Sequence, residues 1–376
     1  MVFVDFNLSI PVKVISGENC VRENASLFAS FGQRCLIVTG KHSAKMSGAL
    51  DDVTAALEEN AIAYEIYDGM GENPLLSSCH EAGKTANAFS ADFIVGIGGG
   101  SALDGAKAAA VYATNPTFSF KDIYAAAVRN RALPLILIGT TAGTGSEVGR
   151  VAVLTDGETR RKKSIAYDDC NPALTFADPR YTCSMPYPVT VSTALDALAH
   201  AVEGYFSPKC TDIPALFAEK GIPMLWKELK KLEKEKAVPG KDGRERLYYG
   251  SLYAGITLAY CGTAFPHPLG YVLTENYGVP HGFACAVFMP ALIDRAAEFE
   301  SEKLERLLEL TGETKESFKA VISSLVSVGD ISMTESEINK HCSRWEDTTP
   351  KNFIFSPGGF TKEEAEKLFK DLFSEK

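Results

Sequence analysis

Short apolar runs alternate with longer stretches of helical period through the first half of the chain. Cys35-Leu36-Ile37-Val38-Thr39 reads as a strand that stops at Gly40, and residues 44–59 carry the apolar spacing of a helix. The same alternation predicts a strand over 63–67, a helix over 77–89, a strand over 92–97, a helix over 101–112 and one more buried strand over 134–138. Strand, helix and strand in this order imply a parallel sheet with helices on both faces. Beyond about residue 185 the helical period takes over, and helices are expected over 189–206, 216–236, 244–260, 283–299, 302–310 and 361–373, with no strand between them. The expected fold is an α/β N-terminal domain over 1–185 and an all-α C-terminal domain over 186–376. Met185-Pro186-Tyr187-Pro188 marks the boundary, because proline suits the first turn of a helix and little after it.

Composition narrows the classes this fold could serve. At 376 residues, 45% hydrophobic and 23% charged, the chain is long and apolar enough to bury a substantial core without disulfides. No stretch reaches the length of a membrane span, and the N-terminal run is too short and carries Asp5, so neither a membrane nor a secretory segment is expected. Acidic residues outnumber basic ones by 48 to 38, for a net charge of -10 with no basic tract, which disfavours broad nucleic-acid binding but not a local phosphate pocket. The nine cysteines are scattered and form no CxxC pair, as expected for reduced thiols of a cytoplasmic protein.

Two glycine-rich segments follow predicted strands. Gly96-Ile97-Gly98-Gly99-Gly100-Ser101 closes one strand and opens a helix, where missing side chains let backbone N–H groups approach a pyrophosphate and the helix dipole favours its charge. Thr140-Thr141-Ala142-Gly143-Thr144-Gly145-Ser146-Glu147 follows the strand over 134–138. Loops after strand C-termini meet at one crevice in a parallel sheet, so both segments would face one ligand and the sheet would be Rossmann-like.

In the helical half, Asp196 and His200 lie four apart on one face among alanines and leucines. Such a pair alone is more readily an ordinary helical contact worth about 0.2–0.5 kcal/mol. Yet a carboxylate on so apolar a helix is costly without a cation. Downstream, His267 and His281 flank PLGYVLTENYGVP, where Pro268 can start a helix, Gly278 end it and Pro280 force a new element at His281. Three imidazoles and one carboxylate suit a divalent first-row metal with one position open, and Fe(II) and Zn(II) are both admissible.

The chain resembles the iron-containing (group III) alcohol dehydrogenase family. The resemblance runs from the first strand to about Pro290 and rests on GGGSALDGAKA at 98–108, TTAGTGSEV at 140–148, DPRYT at 178–182, STALDALAHAVEGY at 192–205, and HPLGYVLT with VPHG at 267–282. It implies Asp196, His200, His267 and His281 as metal ligands and as the catalytic centre. It implies a pyrophosphate resting on Gly98, Gly99, Gly100 and Ser101, with Asp104, Asn73, Thr140, Thr141, Thr144 and Lys162 as further cofactor positions. The implied activity is reversible hydride transfer between a nicotinamide cofactor and a small alcohol or aldehyde, in a homodimer.

Two positions depart from the family's pattern. NAD-preferring members resemble one another in an Asp after the second strand, where this chain reads Gly40-Lys41-His42-Ser43. A carboxylate there would repel a 2'-phosphate, whereas Gly40 leaves room and Lys41 and Ser43 offer donors, so NADP(H) is expected over NAD(H). Tyr271 stands where some members carry a histidine linked to proton relay; its intrinsic pKa makes it a poor shuttle, and a place lining the substrate pocket is expected. The rival readings are a zinc-dependent, glycerol dehydrogenase-like enzyme and a non-catalytic protein that binds nucleotide or metal on the same fold.

Overall fold

The computed structural model describes residues 9–125 and 129–374. Its strands are β1 (Lys13–Ser16), β2 (Arg34–Thr39), β3 (Ala63–Tyr67), β4 (Phe93–Gly98), β5 (Leu135–Gly139), β6 (Ala152–Thr155), β7 (Lys162–Ile165) and β8 (Leu174–Ala177). Six of them form one parallel sheet in the order β1-β8-β5-β4-β2-β3, and β6 and β7 pair as a separate antiparallel hairpin. Alternate residues of each strand point to opposite faces. Leu36, Val38, Ile94, Leu135 and Leu137 therefore enter one apolar cluster with the helices Leu76–Phe89 and Gly100–Thr114. Cys35, Ile37, Val95, Ile136 and Ile138 enter the other, with Phe28 and Phe176. Burial on both faces is why β2, β4 and β5 read as unbroken apolar runs.

The strands expected from the sequence are β2 to β5. The two missed sheet strands left little pattern: β1 is an edge strand with no buried residue, and β8 is only four residues long. The helix expected over 44–59 is two helices, Ser43–Met46 and Ala49–Glu59, parted at Gly48, whose φ of 80° is left-handed. The helix expected over 283–299 is likewise divided into His281–Ala286 and Met289–Phe299, with Pro290 in the first turn of the second.

The chain falls into two compact units, one of Ser9–Pro186 with Gly240–Gly255, the other of Tyr187–Pro239 with the residues from Ile256 onward. The helix Lys241–Cys261 thus gives its residues through Gly255 to the sheet unit, although its apolar period assigns it to the helical half. Close approach explains this: a Cβ on Gly145, in the loop after β5, would lie 2.5 Å from the Gly255 Cα.

That loop is fastened from beneath by buried charge. Lys107, fully buried on the helix Gly100–Thr114, donates from Nζ to Ser146 O at 2.7 Å, Ser146 Oγ at 2.7 Å and Val151 O at 2.8 Å. Asp104 on the same helix accepts from Ser146 Oγ at 2.5 Å and from the Val153 N–H at 2.8 Å. All three ammonium protons have acceptors, which is what makes a buried lysine tolerable.

Glu147 is also buried here, and loss of solvation pushes its carboxyl up from 4.5 to about 7. The folded protein then keeps a proton that the unfolded chain has released. The resulting stability is fully present below pH 4.5 and is lost as the pH rises toward 7. Glu147→Gln removes this slope, so urea unfolding at pH 5 and pH 8 gives a smaller difference for the variant, by on the order of a few kcal/mol.

Candidate functional site

The helix Tyr187–Phe206 is buried along nearly its whole length from Thr190. Asp196, His200 and Glu203 follow at intervals of four and three, so they share one face. The helix Pro266–Tyr277 opens with His267 between two prolines and closes on Gly278, whose φ of 68° is the left-handed cap that glycine accepts most readily. Pro280 then starts the short helix His281–Ala286.

These elements bring the four expected ligands together in one unit. The Nε2 atoms of His200, His267 and His281 lie 3.8, 4.0 and 3.8 Å from the same oxygen, Asp196 Oδ1. Two ligands on one tetrahedral ion at about 2.1 Å stand about 3.4 Å apart, so this spacing is near what a shared ion demands and too long for hydrogen bonds. Asp196 Oδ1 is buried with no hydrogen-bond partner, an unmet cost that a cation in that position would offset. The residues therefore fit a divalent metal. Asp196, His200 and His267 are at most 5% exposed, whereas the His281 side chain is 26% exposed and marks the open side.

Sequence reasoning left Glu203 unassigned, though its place seven residues after Asp196 was visible. Its Oε1 lies 2.7 Å from His267 Nδ1, and its Oε2 accepts the Ala264 N–H at 2.7 Å. Burial raises the Glu203 carboxyl above its ordinary value, while His267 and the Ala264 N–H pull it down. With Nδ1 donating to the carboxylate, His267 Nε2 is the unprotonated nitrogen and stands 4.0 Å from Asp196 Oδ1, the arrangement that orients metal-binding imidazoles. Tyr271 stacks on His281 with ring centroids 5.4 Å apart and planes 17° from parallel.

A second finding lies in the C-terminal region, where the sequence offered only helical texture. Ser356 Oγ accepts the Phe265 N–H at 3.0 Å, and Asn352 Nδ2 donates to Thr263 Oγ1 at 2.6 Å. Both hold the segment leading into His267. Cys285, one of the nine scattered cysteines expected only to be reduced thiols, has its Sγ 3.7 Å from each ring nitrogen of His281. One oxygen of Asp196, one nitrogen each of His267 and His281, and the Cys285 sulfur all lie within 4.8 Å of one another.

The expected cofactor positions gather in the sheet unit. The sheet's order changes direction between β2 and β4, since β3 lies beyond β2 on one side and β4 and β5 on the other, and such a reversal is where ligands bind in parallel sheets. Gly40 follows β2 with Lys41 and Ser43 exposed beside it. A Cβ on Gly98, whose φ is 151°, would lie 2.7 Å from the Ala102 Cβ and 3.7 Å from Ser43 Oγ. Gly99 faces Thr141, and a Cβ on Gly100 would stand 2.5 Å from Thr144 Cγ2, so the two loops meet closely. Thr140 Oγ1 is buried without a hydrogen-bond partner. The Asn73 N–H donates to Ser101 Oγ at 3.1 Å, and the Thr155 N–H donates to Pro74 O at 2.8 Å. Lys162 pairs with Thr155 across the β6–β7 hairpin, which sets it close to the Asn73 turn. This glycine cradle fits a dinucleotide pyrophosphate. Asp104 is the exception among the expected contacts: its oxygens serve Ser146 and Val153.

Comparison with known proteins agrees with this geometry. Residues 11–179 match the iron-containing alcohol dehydrogenase family, and residues 190–340 match the C-terminal part of the Fe-containing alcohol dehydrogenase family. Alcohol dehydrogenase 4 of Schizosaccharomyces pombe is 34% identical over 284 residues, 74% of this chain and 66% of that protein. Lactaldehyde reductase of Escherichia coli is 31% identical over 283 residues, 74% of this chain and 72% of that protein. The crystal structure of an iron-containing alcohol dehydrogenase from Thermotoga maritima superposes with a TM-score of 0.88 at 33% identity, covering 98% of this chain and 99% of that one. The chain belongs to the iron-containing alcohol dehydrogenase family, a family of alcohol dehydrogenases and aldehyde reductases.

Packing sets a sharp requirement at Gly282, beside His281. A Cβ there would stand 1.7 Å from the Ser192 carbonyl oxygen on the helix that carries Asp196. Gly282→Ala is expected to force the two helices apart, at a cost of about 3 kcal/mol or more. Its denaturation midpoint falls, and the metal content measured after purification drops with it.

Proposed function

We propose that the protein is a metal-dependent dehydrogenase that interconverts a small alcohol and its aldehyde with NADP(H), using Asp196, His200, His267 and His281 as metal ligands. The observation that carries this reading is the single buried oxygen of Asp196 faced by three imidazole nitrogens at 3.8–4.0 Å. When bound, a divalent ion, Fe(II) or Zn(II), supplies Lewis acidity toward the substrate oxygen, and the nicotinamide supplies or accepts hydride.

The chain's own residues hold and orient. Glu203 fixes the tautomer and plane of His267, so that its ligand nitrogen is presented without rearrangement. Tyr271 covers one face of His281 and offers an aromatic wall to a substrate arriving from that exposed side. Gly98, Gly99, Gly100 and Ser101 leave backbone donors clear for the pyrophosphate, with Thr140, Thr141, Thr144, Asn73 and Lys162 around it. Asp104 positions the second loop through Ser146. Homodimeric assembly and a cytoplasmic location complete the reading.

The metal assignment is tested by anaerobic purification with elemental analysis. Asp196→Ala is expected to lose both bound metal and turnover while NADPH affinity stays within about twofold, as additivity for separate sites implies. Loss of NADPH binding with metal retained refutes that division of labour.

The cofactor assignment rests on Gly40, the residue after β2, where no carboxylate opposes a 2'-phosphate. Wild-type kcat/KM is expected to be higher with NADPH than with NADH, and Gly40→Asp to swing the ratio toward NADH. Equal or greater efficiency of the wild type with NADH overturns the preference.

A further inference from the structure

Cys285 lies one helical turn after His281, on the same face of the helix His281–Ala286. It is fully buried, and its sulfur is equidistant, at 3.7 Å, from both ring nitrogens of His281. On the facing helix, Gly270 keeps a slot for that sulfur: a Cβ at Gly270 would come within 2.8 Å of it. Gly270 is three residues after His267, so the thiol is held toward the same side as the His267 imidazole. The sulfur, an Asp196 oxygen and one nitrogen each of His267 and His281 lie mutually within 4.8 Å, and among the described residues no other cysteine belongs to such a group. Independently of the cysteine, Asp196 Oδ1 is a buried acceptor with nothing donating to it.

We propose that Cys285 is a further ligand at this centre, completing with Asp196, His267 and His281 a donor set of one sulfur, two nitrogens and one oxygen. Two sets then share three side chains. With His200 the set is all nitrogen and oxygen and suits ferrous iron; with Cys285 it gains a soft thiolate and suits zinc or cobalt. Ligand atoms on a tetrahedral ion with bonds of about 2.1 Å to N or O and 2.3 Å to S stand about 3.5 Å apart, so contraction by roughly 1 Å brings the four onto one ion. Binding converts Cys–SH and M²⁺ into a Cys–S–M⁺ unit and releases the thiol proton to solvent. The selectivity for metal would thus be set by which of two neighbours, an imidazole or a thiol, completes the shell.

This inference rests on the metal reading of the centre, and the test separates the two. The full-length enzyme is stripped with a chelator under anaerobic conditions and titrated with Co(II) or Zn(II) alone. In the wild type the cobalt protein is expected to show a near-ultraviolet sulfur-to-cobalt charge-transfer band, and zinc-edge X-ray absorption to show one Zn–S distance of about 2.3 Å. Cys285→Ser abolishes the band while the visible cobalt absorption persists. It weakens Zn(II) binding by at least about tenfold and leaves Fe(II) binding unchanged. Cobalt or zinc bound with only nitrogen and oxygen neighbours, or a band that survives in Cys285→Ser, overturns the role of Cys285 and leaves the metal centre standing. Failure of the wild type to take up any divalent ion overturns both. The wild-type spectra decide the matter even where the variant does not fold.

Discussion

A buried carboxylate oxygen that accepts no hydrogen bond is the constraint on which the helical unit turns. Asp196 sits in the middle of a buried helix, flanked by alanines and leucines, and ionised groups are stable in such surroundings only opposite positive charge. Every distinctive local feature nearby serves to bring something to that oxygen. The prolines around His267 and before His281 break the chain where an imidazole must point inward, and Gly282 lets two helix backbones approach more closely than any side chain would allow. Glu203, deeper on the same helix, spends its own costly burial on orienting one ring. These features make poor sense as stabilising devices taken singly. They cohere once a cation is placed among them.

The sheet unit solves a different problem with different means. Its ligand surface is made by leaving side chains out and bracing what remains. Gly98, Gly99 and Gly100 clear the strand end, and the loop that faces them is tied down by Lys107 and Asp104 from the very helix the glycines begin. Backbone donors can be held ready for an anion only if the segment carrying them is fixed. A buried ammonium with three protein acceptors does that more rigidly than apolar packing, because each bond has a direction.

Much of this was legible in the chain. The strands β2 to β5 announced themselves because burial on both faces demands continuous apolar runs. The four proposed metal ligands came from the family's motifs, and Asp196 and His200 stood out besides because a carboxylate and an imidazole are rare among alanines and leucines. What escaped did so for physical reasons. β1 and β8 are short strands whose place comes from pairing rather than pattern, and the residues from Lys241 to Gly255 join the sheet unit through contacts between glycines, which carry no periodic signal. Asp104 sits in a motif that suggests ligand contact, yet its geometry is that of a brace. Glu203 and Cys285 were in plain view at helical spacing from Asp196 and His281. Spacing alone, though, does not say which neighbour is close enough to share an atom.

The bond from Phe265 to Ser356 spans 91 residues of sequence, and it fixes an order of events as well as a position. Asp196, His200, His267 and His281 all leave the ribosome well before Ser356, which holds the segment leading into His267. A nascent chain can therefore gather its donors early, but their final spacing waits for the last tenth of synthesis. A divalent ion that needs this spacing would find it only once the C-terminal residues are in place.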